Sequence, residues 1–264
     1  MTSSAVVHAY AVVPSASGGE ATVLPAAGIG GSRLRLLDLG AMAVVVGDLD
    51  AERFGADAWQ QHAEDPAWLE PVARGHHEVL KALASTADVL PLRLPGIYPD
   101  DDALAQALGR EEQRLLDRLH FVAGHDEWGV QVFGASRPDV GEQPPPPASG
   151  REYLLRRKQA AAERDEARAD RQLLVAEAYE ALSASATSSV LNRPQDRALS
   201  GRDEPMLLNS AHLVCRDFQQ DFFGCADRLT RETLEPAGLV MEISGPWPPY
   251  NFAAPVDPSA GGSR

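Results

Sequence analysis

Two cysteines, Cys215 and Cys225, are all that the 264 residues contain. Their number and spacing fit no common zinc pattern and imply no disulfide framework, so a cytoplasmic setting is expected. Long apolar runs are missing as well, and no stretch approaches the ~20 residues needed to span a bilayer. The apolar segment Ala5 to Val13 has no basic region ahead of it and alternates like a strand, so it does not read as a secretion signal. Positive charge is scarce: 24 Lys and Arg stand against 38 Asp and Glu, for a net charge of −14. Nucleic acid is therefore not an expected partner, because phosphate binding needs clustered cations. Residues 1–135 carry 9 basic against 19 acidic side chains, most of the imbalance. An acidic first half suits solubility, or docking onto a basic partner surface.

Catalytic patterns are equally sparse. Serines occur without a G-x-S-x-G elbow, and Gly28-Ile29-Gly30-Gly31 lacks the strand-turn-helix setting and the third glycine of a dinucleotide fingerprint, so it reads as a loop. His76-His77-Glu78 and His125-Asp126-Glu127 attract attention as metal or acid–base groups. Neither has HExxH spacing, and adjacent helical side chains point about 100° apart, so both read as solvated surface. His212 and Cys215 are three apart on an expected strand, hence on opposite faces, and Cys215 reads as a buried strand cysteine. No catalytic, metal or cofactor site is expected.

What is present is a two-part pattern of strands and helices, and the length suits two modest domains. Ala5 to Val13 is a strand stopped by Pro14, Leu34 to Leu39 a short strand, and Met42 to Val46 a strand on its valine trio. Pro66 to Thr86 has helical apolar spacing with Pro66 in the first turn, and Val89 to Leu94 is a strand. Asp100 to Asp102 then lead into an amphipathic helix from Asp102 to Phe121, with Gly124 as its stop.

The tempting domain boundary is the polyproline stretch Pro144 to Pro147. If Glu127 to Phe133 is instead given to the second part, the order there becomes strand, long helix from Arg151, strand near Ser188 to Leu191, strand Met206 to Cys215, helix Asp217 to Leu234, strand Leu239 to Ser244. That is βαββαβ, the split βαβ order of a ferredoxin-like sheet. The expected division is therefore an N-terminal α+β domain, 1–124, and a C-terminal ferredoxin-like domain, 125–264, with a Pro-rich internal loop at 137–150. The helical extension 151–186 would reach roughly 50 Å if unbroken, so it is expected to project or to break. Glu152 with Arg156 and Asp165 with Arg168 are spaced for pairing along it. Within it, Arg156-Arg157-Lys158 is a basic cluster in an acidic chain and a candidate partner interface, while Tyr153, Leu154 and Leu155 are expected in the domain core.

The most distinctive run is Ile243-Ser244-Gly245-Pro246-Trp247-Pro248-Pro249-Tyr250-Asn251-Phe252. Its prolines fix φ and lack N–H donors, so regular pairing is expected to stop near Gly245. Gly245, Pro246, Trp247, Pro248, Pro249, Tyr250 and Phe252 form a stiff structural signature whose aromatics are expected to pack within the second unit or at its joint with the first. The run resembles the C-terminal signature of the gas vesicle accessory proteins of the GvpL/GvpF family. Val89-Leu90-Pro91-Leu92-Arg93-Leu94, Glu127 to Val132, Arg151 to Lys158 and Leu208 to Val214 resemble further landmarks of that family in the same order. Leu94-Pro95-Gly96-Ile97-Tyr98-Pro99 departs from it where a Phe-Gly-Thr type turn is expected.

The resemblance implies two α+β domains, the second ferredoxin-like with extra helix. It also implies a noncatalytic cytoplasmic protein, associated with the gas vesicle, that acts in gas vesicle formation. The partners it implies are the small hydrophobic shell protein and other accessory proteins. The rival readings are an enzyme or small-ligand binder built on a ferredoxin-like sheet, for which a deep cavity holding His8, His212 or Cys215 would speak, and a generic interaction module.

Overall fold

The computed structural model describes residues 5–15, 22–134, 149–195 and 201–253. Its contacts divide the chain into two compact units, one running to Glu127 and resuming at Pro246, the other Trp128–Gly245. Both mix helix and sheet.

In the first unit β1 (Ala5–Pro14), β2 (Leu34–Asp38) and β3 (Met42–Asp50) come first. Three helices follow, α1 (Ala51–Phe54), α2 (Ala56–His62) and α3 (Pro66–Ala84), of which the first two have no counterpart in the sequence reading. Then come two-residue strands β4 (Leu90–Pro91) and β5 (Ile97–Tyr98), and helices α4 (Asp101–Gly109) and α5 (Glu112–Val122). The sheet order is β2-β3-β1-β4, with β5 also paired to β1. A tight turn joins β2 to β3, with Gly40 at φ 87 and its N–H donating to the Asp38 carboxylate. β1 is antiparallel to β3 and slips register between Ala9 and Ala11, so Tyr10 is a bulge residue. Its hydroxyl accepts from the Ile29 N–H at 2.8 Å, and a Cβ on Gly28 would lie 2.4 Å from that oxygen. Only glycine fits there. The Gly28–Gly31 run thus caps the core beside β1.

Helix starts follow capping chemistry. The carboxylates of Asp50, Asp65 and Asp100 accept backbone N–H groups at the starts of α1, α3 and α4. The single helix expected from Asp102 to Phe121 is two, because Gly109 ends α4 and a new turn begins at Glu112. The strand expected at Val89 to Leu94 is short because β1 supplies few partners there. Leu90 and Pro91 pair with β1, and the Leu92 N–H donates to the Tyr10 carbonyl. Tyr10, Ile29, Leu34, Val45, Leu49, Val79, Leu80 and Leu83 are in the core between this sheet and α3.

The second unit takes up most of β6 (His125–Gly134), then α6 (Gly150–Ala184), β7 (Ser188–Leu191), β8 (Met206–Cys215), α7 (Gln219–Leu229) and β9 (Leu239–Trp247). Its sheet order is β7-β8-β6-β9. The Pro-rich loop expected at 137–150 lies, through residue 148, outside the described residues. α6 is one unbroken helix. After α7 the chain runs through a π turn, Thr230–Leu234, and a 3₁₀ turn, and Gly238 at φ 68 then turns it into β9. β9 continues through Pro246 to Trp247, two residues beyond the expected stop at Gly245. It is an edge strand, where a proline without an N–H is tolerated. Val130, Val132, Val175, Ala178, Leu182, Val214, Phe222 and Leu234 build this core.

Candidate functional site

Three groupings of polar and aromatic side chains stand out, and the first is the return of the chain into the first unit. Glu127 is the last residue of that unit on the way out, and Pro246 is the first on the way back. The Glu127 carboxylate accepts from the Asn251 backbone N–H at 2.8 Å and from its side-chain Nδ2 at 2.7 Å. Glu127 is only 4% exposed. Burial pushes its carboxyl up to about 7, opposed by the two Asn251 donors. Next to it the Tyr250 hydroxyl hydrogen-bonds His77 Nδ1 at 2.8 Å, and the His77 ring lies near the Trp247 and Tyr250 rings. Burial, with the nearby Glu127 and Glu78 charges, raises the Tyr250 phenol well above its ordinary value.

Phe252 is buried, Pro248 and Pro249 are buried, and Tyr250 packs on the core of the first unit. The Pro/aromatic run, which the sequence places in the C-terminal domain, therefore packs with the first unit from Pro246 on, while Gly245 stays with the second. The reason is the pair of anchors Glu127 and His77, which sequence proximity does not reveal. Glu127 is thus not the solvated group that its acidic neighbours suggest.

The second grouping is a buried histidine pair. His76, expected at the surface, is 5% exposed, because Val72, His76, Val79, Leu80 and Leu83 share the inward face of α3. That spacing was the available signal. His76 Nε2 lies 3.0 Å from the Leu92 carbonyl, which can only accept, so Nε2 carries the proton. His76 Nδ1 then accepts from His8 Nε2 at 2.9 Å, leaving His8 Nδ1 buried without a partner. Burial depresses both imidazoles, His76 to about 4 and His8 well below its ordinary value, the latter aided by the neighbouring His76. Tyr10 stacks on His76 and meets His8 edge-on.

His212 is the corresponding buried imidazole of the second unit. Ser210 Oγ donates to the Val130 carbonyl at 3.3 Å and accepts from His212 Nε2 at 3.0 Å, so His212 Nδ1 accepts from Ser189 Oγ at 2.8 Å. Burial lowers its pKa to about 4. Both ring nitrogens are used structurally. Cys215 is half-buried, not buried as expected, and lines a groove of about 300 Å³ with Phe218 and Asp221.

The third grouping is the first half of α6. Tyr153, Leu154 and Leu155, expected in the core, are 52%, 63% and 54% exposed. Core contacts of this helix begin at Leu174 and Val175, with Ala178 and Leu182 following. Every residue from 161 to 170 is exposed. Arg157 and Lys158 are exposed and Arg156 is half-buried. The side chain of Glu152, the expected partner of Arg156, lies outside the described residues. Exposed leucines of this kind oppose solubility. Among the described residues no group of three or more His, Cys, Asp or Glu could hold a metal ion, and no helix is long and apolar enough to cross a membrane.

Comparison with known proteins gives concordant results. The family model described as gas vesicle synthesis protein GvpL/GvpF matches residues 6–254. Gas vesicle protein L of Streptomyces sp. (strain CB03234) is 36% identical over 254 residues, covering 93% of this chain and 92% of that protein. Gas vesicle protein F of the same strain is 30% identical over 239 residues, covering 83% and 87%. The crystal structure of GvpF from Anabaena sp. PCC7120 has the same fold at TM-score 0.68 and 17% identity, covering 95% of this chain and 97% of that one. That of GvpF from Microcystis aeruginosa matches at TM-score 0.63 and 15% identity, covering 94% and 99%. By these matches the chain belongs to the gas vesicle synthesis protein GvpL/GvpF family, and that membership supports an accessory role in gas vesicles.

Proposed function

We propose that the chain is a noncatalytic cytoplasmic accessory protein that acts in gas vesicle formation by binding the hydrophobic shell protein and other accessory proteins during assembly. The observation that carries this reading is the exposed Tyr153-Leu154-Leu155 set beside Arg156, Arg157 and Lys158 on α6. Exposed aromatic and leucine side chains next to arginine are the residue types that anchor protein interfaces. A partner with apolar surface and acidic groups would cover both at once. In this reading the two units are separate domains. The second is a ferredoxin-like variant, consistent with its βαββαβ order and its β7-β8-β6-β9 sheet. Gly245 to Phe252 serve the architecture instead of docking.

The test is crosslinking in vesicle-forming cells followed by residue-level mapping. Crosslinks from residues 151–158 to the shell protein are the expected result. Crosslinks confined to the Trp247–Phe252 region, or a purified chain that neither binds the shell protein nor alters its assembly, would contradict it.

A further inference from the structure

We propose that residues 246–253 are a strap on the first unit whose latch is the Glu127 carboxyl, and that ionisation of Glu127 loosens the latch. This goes beyond the role proposed above, since it concerns the chain alone and requires no shell protein.

The strap keeps its own shape. Pro248 and Pro249 have no N–H to place. The backbone N–H groups of Tyr250, Phe252 and Ala253 donate inside the segment, to the Pro248 carbonyl at 2.7 Å and to the Pro249 carbonyl at 3.2 and 2.9 Å. The Asn251 N–H points out of it instead, to Glu127 Oε2, and Asn251 Nδ2 donates to Oε1. Lifting the strap therefore leaves its turn intact. What is given up is the pair of Glu127 contacts, the Tyr250–His77 hydrogen bond and the burial of Phe252.

Within that set, Glu127 is the contact that charge disturbs. Its carboxyl is buried and forms no ion pair, so nothing but the two Asn251 donors meets a negative charge there. The titratable side chains around the cluster are Tyr250 on the strap, His77 and Glu78 on α3, and His125 and Asp126 flanking Glu127 on β6. None of them is a lysine or an arginine. The Asn251 donors favour the charged form and burial opposes it, and burial wins, pushing the carboxyl up to about 7. A lifted strap returns Glu127 to water, where it ionises near 4.5. Ionisation thus favours opening. The open fraction is lowest below pH 4.5, climbs by up to ~tenfold per pH unit between 4.5 and 7, and levels off above 7. The closed strap is the main form throughout, and pH sets how often Tyr250 and Phe252 are presented to a partner.

Amide exchange at Asn251, read by NMR on the full chain at pH 5 and pH 7 and corrected for the intrinsic pH dependence of exchange, tests this. Protection there is expected to fall roughly thirtyfold between the two pH values. It is also expected to be lower than at core amides such as Val45 and Leu80. In Glu127→Gln, with circular dichroism as a check of folding, the fall is expected to vanish. Asn251 protection equal to that of the core at both pH values would mean that the segment opens only with the whole unit, and would overturn the proposal. So would the same fall in the wild type and in folded Glu127→Gln. If Glu127→Gln does not fold, the pH dependence of the wild-type Asn251 amide shift decides. A midpoint near 7 upholds the latch, and a midpoint in the usual carboxylate range overturns it. None of these outcomes depends on shell-protein binding.

Discussion

Residues 246–253 and residues 150–171 both carry aromatic or leucine side chains in unusual surroundings, and the structure treats them oppositely. The first segment is fastened to the first unit by Glu127–Asn251 and His77–Tyr250 contacts and buries Phe252. The second leaves Tyr153, Leu154 and Leu155 open along a helix whose core contacts begin at Leu174 and Val175. Composition alone does not separate these outcomes. What separates them is whether some distant residue presents a matching surface, and for the first segment that residue is 124 positions away. Stiffness explains the prolines of one segment, and recognition is the proposed reason for the cations of the other.

The sharpest way to break this contrast is Phe252→Ala, expected to cost about 3 kcal/mol in urea unfolding, as truncation of a buried phenylalanine does. A cost near zero would mean that the return segment is not part of the core. Next is pH. The Glu127 carboxyl is raised from 4.5 to about 7 in the folded chain, so its contribution is fully present below 4.5 and is lost as pH rises through 7. In that window the wild type should lose up to ~1.4 kcal/mol per pH unit relative to Glu127→Gln. His76 and His212 act in the opposite sense. Their folded values near 4 make their contributions present above 6.5 and lost as pH falls, so the difference between the two proteins is the quantity to read.

Tyr250→Phe keeps the ring and removes the hydrogen bond to His77, for an expected loss of about 1 kcal/mol. The smallest effect is expected from Leu154→Ala with Leu155→Ala, within about 0.5 kcal/mol because neither side chain is buried. The same double variant should weaken partner binding. If it unfolds the protein, the first half of α6 is core after all.

Much of the fold was legible in local pattern. Met206–Cys215 matches its expected strand to the residue and Ser188–Leu191 lies where a strand is expected, since apolar runs with clear stops define them. α1, α2 and the break between α4 and α5 were not legible, because short helices and a single glycine leave little periodic signal. For the candidate sites, α3 periodicity held the information that His76 faces inward. Nothing local showed that Glu127 would find Asn251, or that Tyr153 to Leu155 would have no sheet beneath them. Burial at those positions is set by tertiary partners, which a linear pattern does not record.

Hydrogen exchange on the full chain, measured with and without the shell protein, tests most directly the division between a fastened segment and an open one. Slow exchange over the non-proline amides of 246–253 in the free chain, unchanged by the shell protein, is expected together with fast exchange over 150–171 that slows when the shell protein is added. Fast exchange at 246–253 in the free chain, with protection appearing there only on addition of the shell protein, would contradict it.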